Sequence, residues 1–434
     1  MIVKSNILTL IKMATILDTN NIFKYLSDRN YCALTDREAS KVTAIPAKNF
    51  NLLINFADDN NLLIKQEPHD CDGETHGEFL AAWQIQQLVE SFPEFGRKVE
   101  NSLPELLHFD PENSILIVKY LADYCDLDDY YTQHNYFPIE IARSIGKLFA
   151  TIHSQTFERT EYQDFLANFS VGRSAADLAF ESQIQSLVDQ PNVVNNHNSV
   201  AVTSQSKGYA NKVIRRLSRI TPEVFEEVPL ECLQFFKLYQ RFPDLARSIS
   251  DLSDSITPSC LVHNDLKINN ILLALDWELP GSKVIRSIDW ERAAWGDPAF
   301  DLGCILGSYL EIWLDGLIIN NTLSLNESLQ LATTPLELIQ PSLFSLVESY
   351  LDGFPEILAA RPDYLHRAIQ FAGLSLIHRV EITIQVDRVF GNHGIMLLQV
   401  AKQLLCTPQA AMKTLFGNNF VGVASLKENR LVTK

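Results

Sequence analysis

A chain of 434 residues, 46% hydrophobic and 21% charged, has the composition of a soluble globular protein and the length of one large domain or two to three ordinary ones. Its formal charge of -17 excludes a nucleic-acid scaffold, which needs a basic face for phosphate. The same charge permits a neutral or cationic small substrate.

The N-terminal "MIVKSNILTLIKMATILD" is mildly apolar, but Lys12 interrupts it and no small-residue cleavage site follows. Residues 14 to 30 read as a short amphipathic helix with Ile16, Ile22, Phe23 and Leu26 on one face. "NLLINF" (51–56) and "LLIKQE" (62–67) are short apolar runs around the turn formers "ADDNN", a hairpin signal. "FLAAWQIQQLV" (79–89) has helical spacing, and "SILIVKYL" (114–121) is a run of buried-strand length. "IEIARSIGKLFATIHSQTF" (139–157) is an amphipathic helix. Residues 189–208 are polar and rich in Asn and Ser, as in a flexible surface insert.

From 225 the pattern is helical up to Pro258. Two short apolar runs follow, "NNILLAL" and "KVIRSID", joined through the turn signal Pro280-Gly281. Residues 299 to 417 are mainly helical. "LGCILGSYLEIWLDGLII" contains Glu311 and Asp315, so it reads as a buried helix and not a membrane span. The seven cysteines are dispersed with no CxxC pair, as in a reduced, cytoplasmic protein. The expected fold class is α+β with two lobes: residues 1–121 as the smaller lobe and 122–434 as the larger, helical one.

The chemistry concentrates in "LVHNDLKINNILL" (261–273). His263, Asp265 and Asn270 have the spacing H-x-D-x-x-x-x-N, and Asp289 follows in "SIDWERAAWGDPAFDLG". If the two apolar runs pair as a hairpin, Asp265, Asn270 and Asp289 converge at one edge of it. Carboxylate and amide oxygens are hard ligands that suit Mg²⁺, an ion that also keeps waters and phosphate oxygens. One further carboxylate can hold a hydroxyl nucleophile, which completes a parts list for phosphoryl transfer. A metal and a polyphosphate would satisfy polar groups placed in so apolar a frame.

These two segments resemble the aminoglycoside phosphotransferase and choline kinase family, whose pattern is H-G-D-x-x-x-x-N-x-L followed by I-D-W/F-E and a G-D-P-x-x-D-L tail. The first also resembles the protein-kinase catalytic loop. Protein kinases, however, carry D-F-G and A-P-E where this chain has Asp289-Trp290-Glu291 and no A-P-E. The resemblance extends over roughly residues 20 to 310 and implies a bilobal protein-kinase-like fold. It also implies a reaction in which ATP and Mg²⁺ phosphorylate a small-molecule hydroxyl acceptor, with no nucleic-acid or membrane partner. A cationic acceptor would fit the acidic chain.

Carried over by position, Asp265 would orient the acceptor hydroxyl, Lys267 would touch the transferred phosphate and His263 would buttress the loop. Asn270 and Asp289, the latter in a metal loop at 287–301, would bind Mg²⁺. Asp301 would hold catalytic-loop backbone. Lys65 would pair the α- and β-phosphates, and backbone from Lys119 through Tyr120 to Leu121 would meet adenine.

Two features depart from the family pattern. The lysine's partner glutamate aligns with Ala82, one turn beyond Glu78, which either replaces it or is an ordinary exposed helix residue. The nucleotide loop "IPAKNFN" (45–51) has no glycine, which leaves Lys48 or Asn49 to meet phosphate. Both motivate the alternative of a catalytically silent, pseudokinase-like nucleotide-binding or interaction module. "HDCDGETH" (69–76) begins like a calcium loop, but Thr75 and Ala81 occupy the positions of its glycine and closing glutamate, so it reads as a solvated connector. His153 and His378 read as structural histidines, and Trp290 and Trp295 as packing residues, with a substrate platform as the second reading of Trp295 near the metal loop.

Overall fold

The structure, a computed structural model, describes residues 15–69, 75, 77–170, 229–319, 322–323 and 325–419. The expected insert at 189–208 and most of the acidic segment 69–76 lie outside these residues. The chain divides into two compact units.

The first comprises described residues up to 86 together with 105–122. After α1 (Ile22–Ser27) come β1 (Lys41–Ile45), β2 (Phe50–Asn55) and β3 (Leu62–Gln66), the start of α2 (Glu78–Ser91), then β4 (Leu106–Asp110) and β5 (Ile115–Lys119). They form an antiparallel sheet of order β1-β2-β3-β5-β4. Period-2 alternation sorts its faces. Leu52, Ile54, Leu62, Ile64, Ile115 and Ile117 pack with Ile22, Phe23 and Leu26 of α1. Leu63, Leu106, Leu116 and Val118 pack on the other face with Phe79 and Ala82 of α2.

The 51–67 hairpin and the strand at 114–121 are present as read from the sequence. β1 and β4 had no signal. β1 is a largely exposed edge strand without apolar alternation, and a register shift between Leu106 and His108 interrupts β4.

The second unit comprises residues 87–104, 123–169 and the described residues from 229 onward. Its helices are α3 (Pro93–Val99), α4 (Leu127–His134), α5 (Ile139–Thr156), α6 (Thr160–Ser170), α7 (Leu230–Tyr239) and α8 (Pro243–Ser255). After the catalytic segment come α9 (Pro298–Asp315), α10 (Leu325–Gln330), α11 (Leu336–Gly353), α12 (Glu356–Ala360), α13 (Tyr364–Asp387), α14 (Asn392–Cys406) and α15 (Pro408–Phe416). Two small sheets interrupt them. β6 (Tyr124–Asp126), β8 (Ile271–Ala274) and β9 (Ile285–Ser287) form one in the order β6-β8-β9. β7 (Cys260–Val262) and β10 (Ala294–Gly296) form the other. The expected hairpin is therefore β8–β9, with Ile271 opposite Ser287. "LGCILGSYLEIWLDGLII" supplies most of α9, and no described helix is long and apolar enough to cross a membrane.

α9 lies against α13 through glycine. A Cβ on Gly303 would stand 2.4 Å from Phe371 Cβ and 2.6 Å from the Ala368 carbonyl, both on or next to backbone that cannot move aside cheaply. Gly303→Ala is expected to lower stability by about 1–3 kcal/mol in denaturant unfolding, the usual cost of overpacking a dense core. An unchanged midpoint would mean that the α9–α13 contact yields freely.

Candidate active site

The site grows from β7, whose three residues are buried, and which delivers the chain into His263. Asn264 adopts φ +63, a left-handed conformation that glycine or asparagine tolerates best. This explains why the family pattern has glycine there and why asparagine can replace it. The Asn264 Nδ2 also donates to the Arg292 carbonyl at 2.9 Å.

Asp301, in the first turn of α9, is fully buried and organises this turn. Its two oxygens accept the backbone N–H groups of His263 (2.6 Å) and Asn264 (2.9 Å). The role read for it from the sequence, holding catalytic-loop backbone, agrees with this geometry. His153 Nε2 stands 3.2 Å from the same carboxylate, and His153 Nδ1 stands 2.7 Å from the Tyr350 hydroxyl. A carboxylate only accepts, so Nε2 bears the hydrogen; Nδ1 of the neutral ring then accepts from Tyr350, a phenol whose pKa burial raises. His153 is thus structural, as expected, and from α5 it links Asp301 on α9 to Tyr350 on α11.

His263 turns its ring onto the same loop. Nε2 donates to the Ile288 carbonyl at 2.8 Å and Nδ1 accepts the Asp265 N–H at 3.3 Å. One tautomer satisfies both contacts. Trp290 is buried and stacks on Phe149, with ring centroids 6.2 Å apart and planes 9° from parallel. It is a packing residue.

The Asp265 side chain is a quarter exposed. Lys267 Nζ lies 3.4 Å from one of its oxygens and Arg292 3.6 Å from the other. Asn270 is buried, and its Nδ2 donates to the Asp265 carbonyl at 2.8 Å, which turns Oδ1 the opposite way. The Ile288 N–H donates to the Asn270 carbonyl at 2.9 Å, which brings Asp289, in left-handed conformation, beside Asn270. His263, Asp265, Lys267, Asn270 and Asp289 are therefore gathered in one place. Among the described residues no group of three or more His, Cys, Asp and Glu stands close enough to hold a metal.

Sequence reasoning missed Arg292, Ser308 and Glu311. Ser308 Oγ accepts the Ile268 N–H at 3.0 Å. Cys304, Ser308 and Glu311 recur at helical spacing on α9, and Ser308 shows that this stripe meets the catalytic loop; the spacing was visible, but the face it presents was not. Burial pushes the Glu311 carboxyl up to about 7, with Asp315 and Asp128 acting in the same direction and Arg379 and Lys267 opposing. A carboxyl raised this way stabilises the fold below its unfolded pKa and loses that contribution as pH rises through about 7. Glu311→Gln should therefore match the parent's melting temperature at pH 4 and exceed it at pH 8. Parallel curves across this range would refute the shift.

The remaining candidates lie in the first unit. Lys65 is on β3 opposite Leu116, on the sheet face that carries Leu63 and meets α2. Lys48 Nζ contacts both Glu78 oxygens, at 2.7 and 2.6 Å, so the structure pairs these two candidates with each other. Asn49 is buried beside Lys48, at the end of the turn before β2. Glu67, also missed, is a buried carboxylate that accepts the N–H groups of Gly77 (3.1 Å) and Glu78 (2.6 Å) and so holds the start of α2. The N–H groups of Lys119 and Tyr120 donate to the carbonyls of Glu105 (3.0 Å) and Asn61 (2.9 Å). The Lys119 and Tyr120 N–H groups of the expected adenine segment are therefore taken by these backbone contacts.

Comparison with solved structures gives the Plasmodium vivax ethanolamine kinase Pv091845, at 12% identity and TM-score 0.51, covering 89% of this chain and 88% of that one. A choline/ethanolamine kinase family protein from Mesorhizobium loti is 15% identical with TM-score 0.45, covering 94% and 99%. The first likeness establishes a kinase-like, bilobal α+β fold. No curated protein sequence matches the chain. The model of the phosphotransferase enzyme family matches residues 96–327, a span that contains the whole catalytic segment. With more than half of its length matched and the loop geometry in place, the chain belongs to the phosphotransferase enzyme family.

Proposed function

We propose that the chain transfers the γ-phosphate of ATP, with Mg²⁺, to a hydroxyl of a small molecule. The observation that carries this reading is the Asp265 carboxylate, a quarter exposed on a loop held from behind by Asp301 and flanked by Lys267 and Arg292. The acceptor hydroxyl donates a hydrogen bond to Asp265, which holds its oxygen in line with the γ-phosphorus. As the new P–O bond forms and the bond to the ADP oxygen breaks, the hydroxyl proton passes to Asp265. Lys267 meets the transferred phosphoryl group, and His263 keeps the loop in register.

Asn270 and Asp289 would hold Mg²⁺. The donors fit: the Asn270 Oδ1 is turned away from its own amide contact, both ligands are hard oxygens, and two protein ligands suit an ion that keeps waters and phosphate oxygens. When bound, the ion neutralises phosphate charge. Lys65 would pair the α- and β-phosphates and Asn49 would lie near them. Lys48 would hold Glu78 in place. Adenine would meet Leu121 and the carbonyls beside it. The alternative of a catalytically silent module gains nothing from a site where Asp265, Asn270 and Asp289 stand together.

Incubation with ATP–Mg²⁺ and a panel of hydroxyl-bearing metabolites, amino alcohols and aminoglycosides tests the reading through a phosphorylated product. Confirmed ATP binding with no transfer and no hydrolysis would turn the weight toward the silent module. In an active preparation, Asn270→Ala is expected to raise the Mg²⁺ concentration for half-maximal rate by at least roughly tenfold. An unchanged requirement would remove Asn270 from the metal site.

A further inference from the structure

The first unit contains a cavity of about 560 Å³ at the end of the sheet where β3 begins and β5 ends. It lies against the side chains of Leu62 and Phe56, which belong to the core built around α1. The Lys65 face, which meets α2, is the opposite one.

Its chemistry is specific. Three carboxylates line it, Asp36, Asp58 and Glu105, against one ammonium, Lys119. Lys119 is already paired with Glu105 at 3.1 Å, which leaves a net formal charge of two carboxylates: Asp36, which also accepts the Ala33 N–H at 2.8 Å, and Asp58 at the exposed rim, which accepts the Asn60 N–H and Nδ2 at 3.2 and 2.7 Å. That sign repels phosphate, so although Lys119 also begins the expected adenine segment, the cavity does not suit the nucleotide's phosphates. The Tyr31 and Phe56 rings also line it. The Tyr31 hydroxyl donates to the Leu107 carbonyl at 2.9 Å, which fixes that ring. Aromatic rings beside carboxylates are the combination that recognises an organic ammonium, the rings through their π faces and the carboxylates through charge.

Asn61 adds a hydrogen-bond donor. It is 7% exposed, and its Oδ1 accepts the Phe56 N–H at 3.0 Å. An N–H can be met only by the oxygen, so this contact settles the amide orientation and leaves Nδ2 for the cavity that Asn61 lines.

We propose that this cavity binds a small organic ammonium with an apolar body, held by Asp36 and Asp58 and by the Tyr31 and Phe56 rings, with Asn61 donating to an acceptor on ligands that carry one. The site is separate from the phosphoryl-transfer site and does not depend on that assignment. 2-Phenylethylammonium is the probe and phenylacetamide its neutral counterpart, titrated into the full chain with ligand-observed NMR. The double variant Asp36→Asn/Asp58→Asn keeps side-chain shape and is expected to weaken probe binding by about fivefold, as removal of one partly exposed and one fully exposed charge should. Phenylacetamide should bind more weakly than the probe by a similar factor. Saturating ATP–Mg²⁺ and Asp265→Asn should leave the affinity unchanged. Equal affinity in the double variant, equal affinity for phenylacetamide, or no saturable binding at millimolar probe would overturn the proposal. Probe binding lost with ATP–Mg²⁺ or in Asp265→Asn would also overturn it, by placing the amine at the phosphoryl-transfer site. Asn61→Ser, which removes Nδ2 and retains an oxygen near Phe56, supplies an independent check with an amine that carries a carbonyl, 2-amino-1-phenylethanone. That ligand should lose affinity in the variant while 2-phenylethylammonium does not, and equal responses would discard the donor role.

Discussion

Asp265→Asn is expected to lower turnover by roughly 10²- to 10⁴-fold, the range of a lost general base, while unfolding free energy changes by no more than about 1 kcal/mol. The two halves of this expectation come from different parts of the geometry. The carboxylate is partly exposed and, among the described residues, its ionic contacts to Lys267 and Arg292 are long, so little folding energy depends on it. The loop around it is held by backbone contacts that asparagine leaves in place: the Asp265 N–H to His263, and the Asp265 carbonyl to Asn270. Steady-state kinetics beside urea unfolding, with the acceptor found by the panel, decides the matter. Turnover within tenfold of the parent would show that another group takes the proton or that none needs to be taken.

Asp301→Ala is expected to behave in the opposite sense. The carboxylate is fully buried and accepts two backbone N–H groups, with the His153 imidazole on the same oxygen as one of them. Removing it leaves those donors without partners in a dry interior, at about 1–3 kcal/mol each, so a loss of roughly 3–5 kcal/mol is expected in denaturant unfolding. Activity should fall too, because Asn264 would no longer be tied in its left-handed turn and Asp265 follows it directly. The comparison between the two variants is the informative result. Asp265 carries function with little stability, and Asp301 carries stability through which function is expressed. A loss below 1 kcal/mol in Asp301→Ala would mean that β7 and β10 hold the loop by themselves.

Much of this was legible in the sequence because it is local. The β2–β3 and β8–β9 hairpins follow from apolar runs around turn formers, and α2 and α5 from apolar residues recurring at helical spacing. The spacing of His263, Asp265 and Asn270 encodes a single turn, and the hairpin that follows brings Asp289 to it, so four site residues converge through contacts close in sequence. Tertiary structure decided what depends on residues far apart. That Lys48 takes Glu78, that His153 and Tyr350 stand behind Asp301, that the α9 stripe of Ser308 and Glu311 faces the catalytic loop, and that Asp36, Asp58 and Asn61 share a cavity are facts of packing. Period and propensity report which face of an element is apolar. They carry no information about which distant element that face meets, because the choice is made by the shape and volume of the whole core.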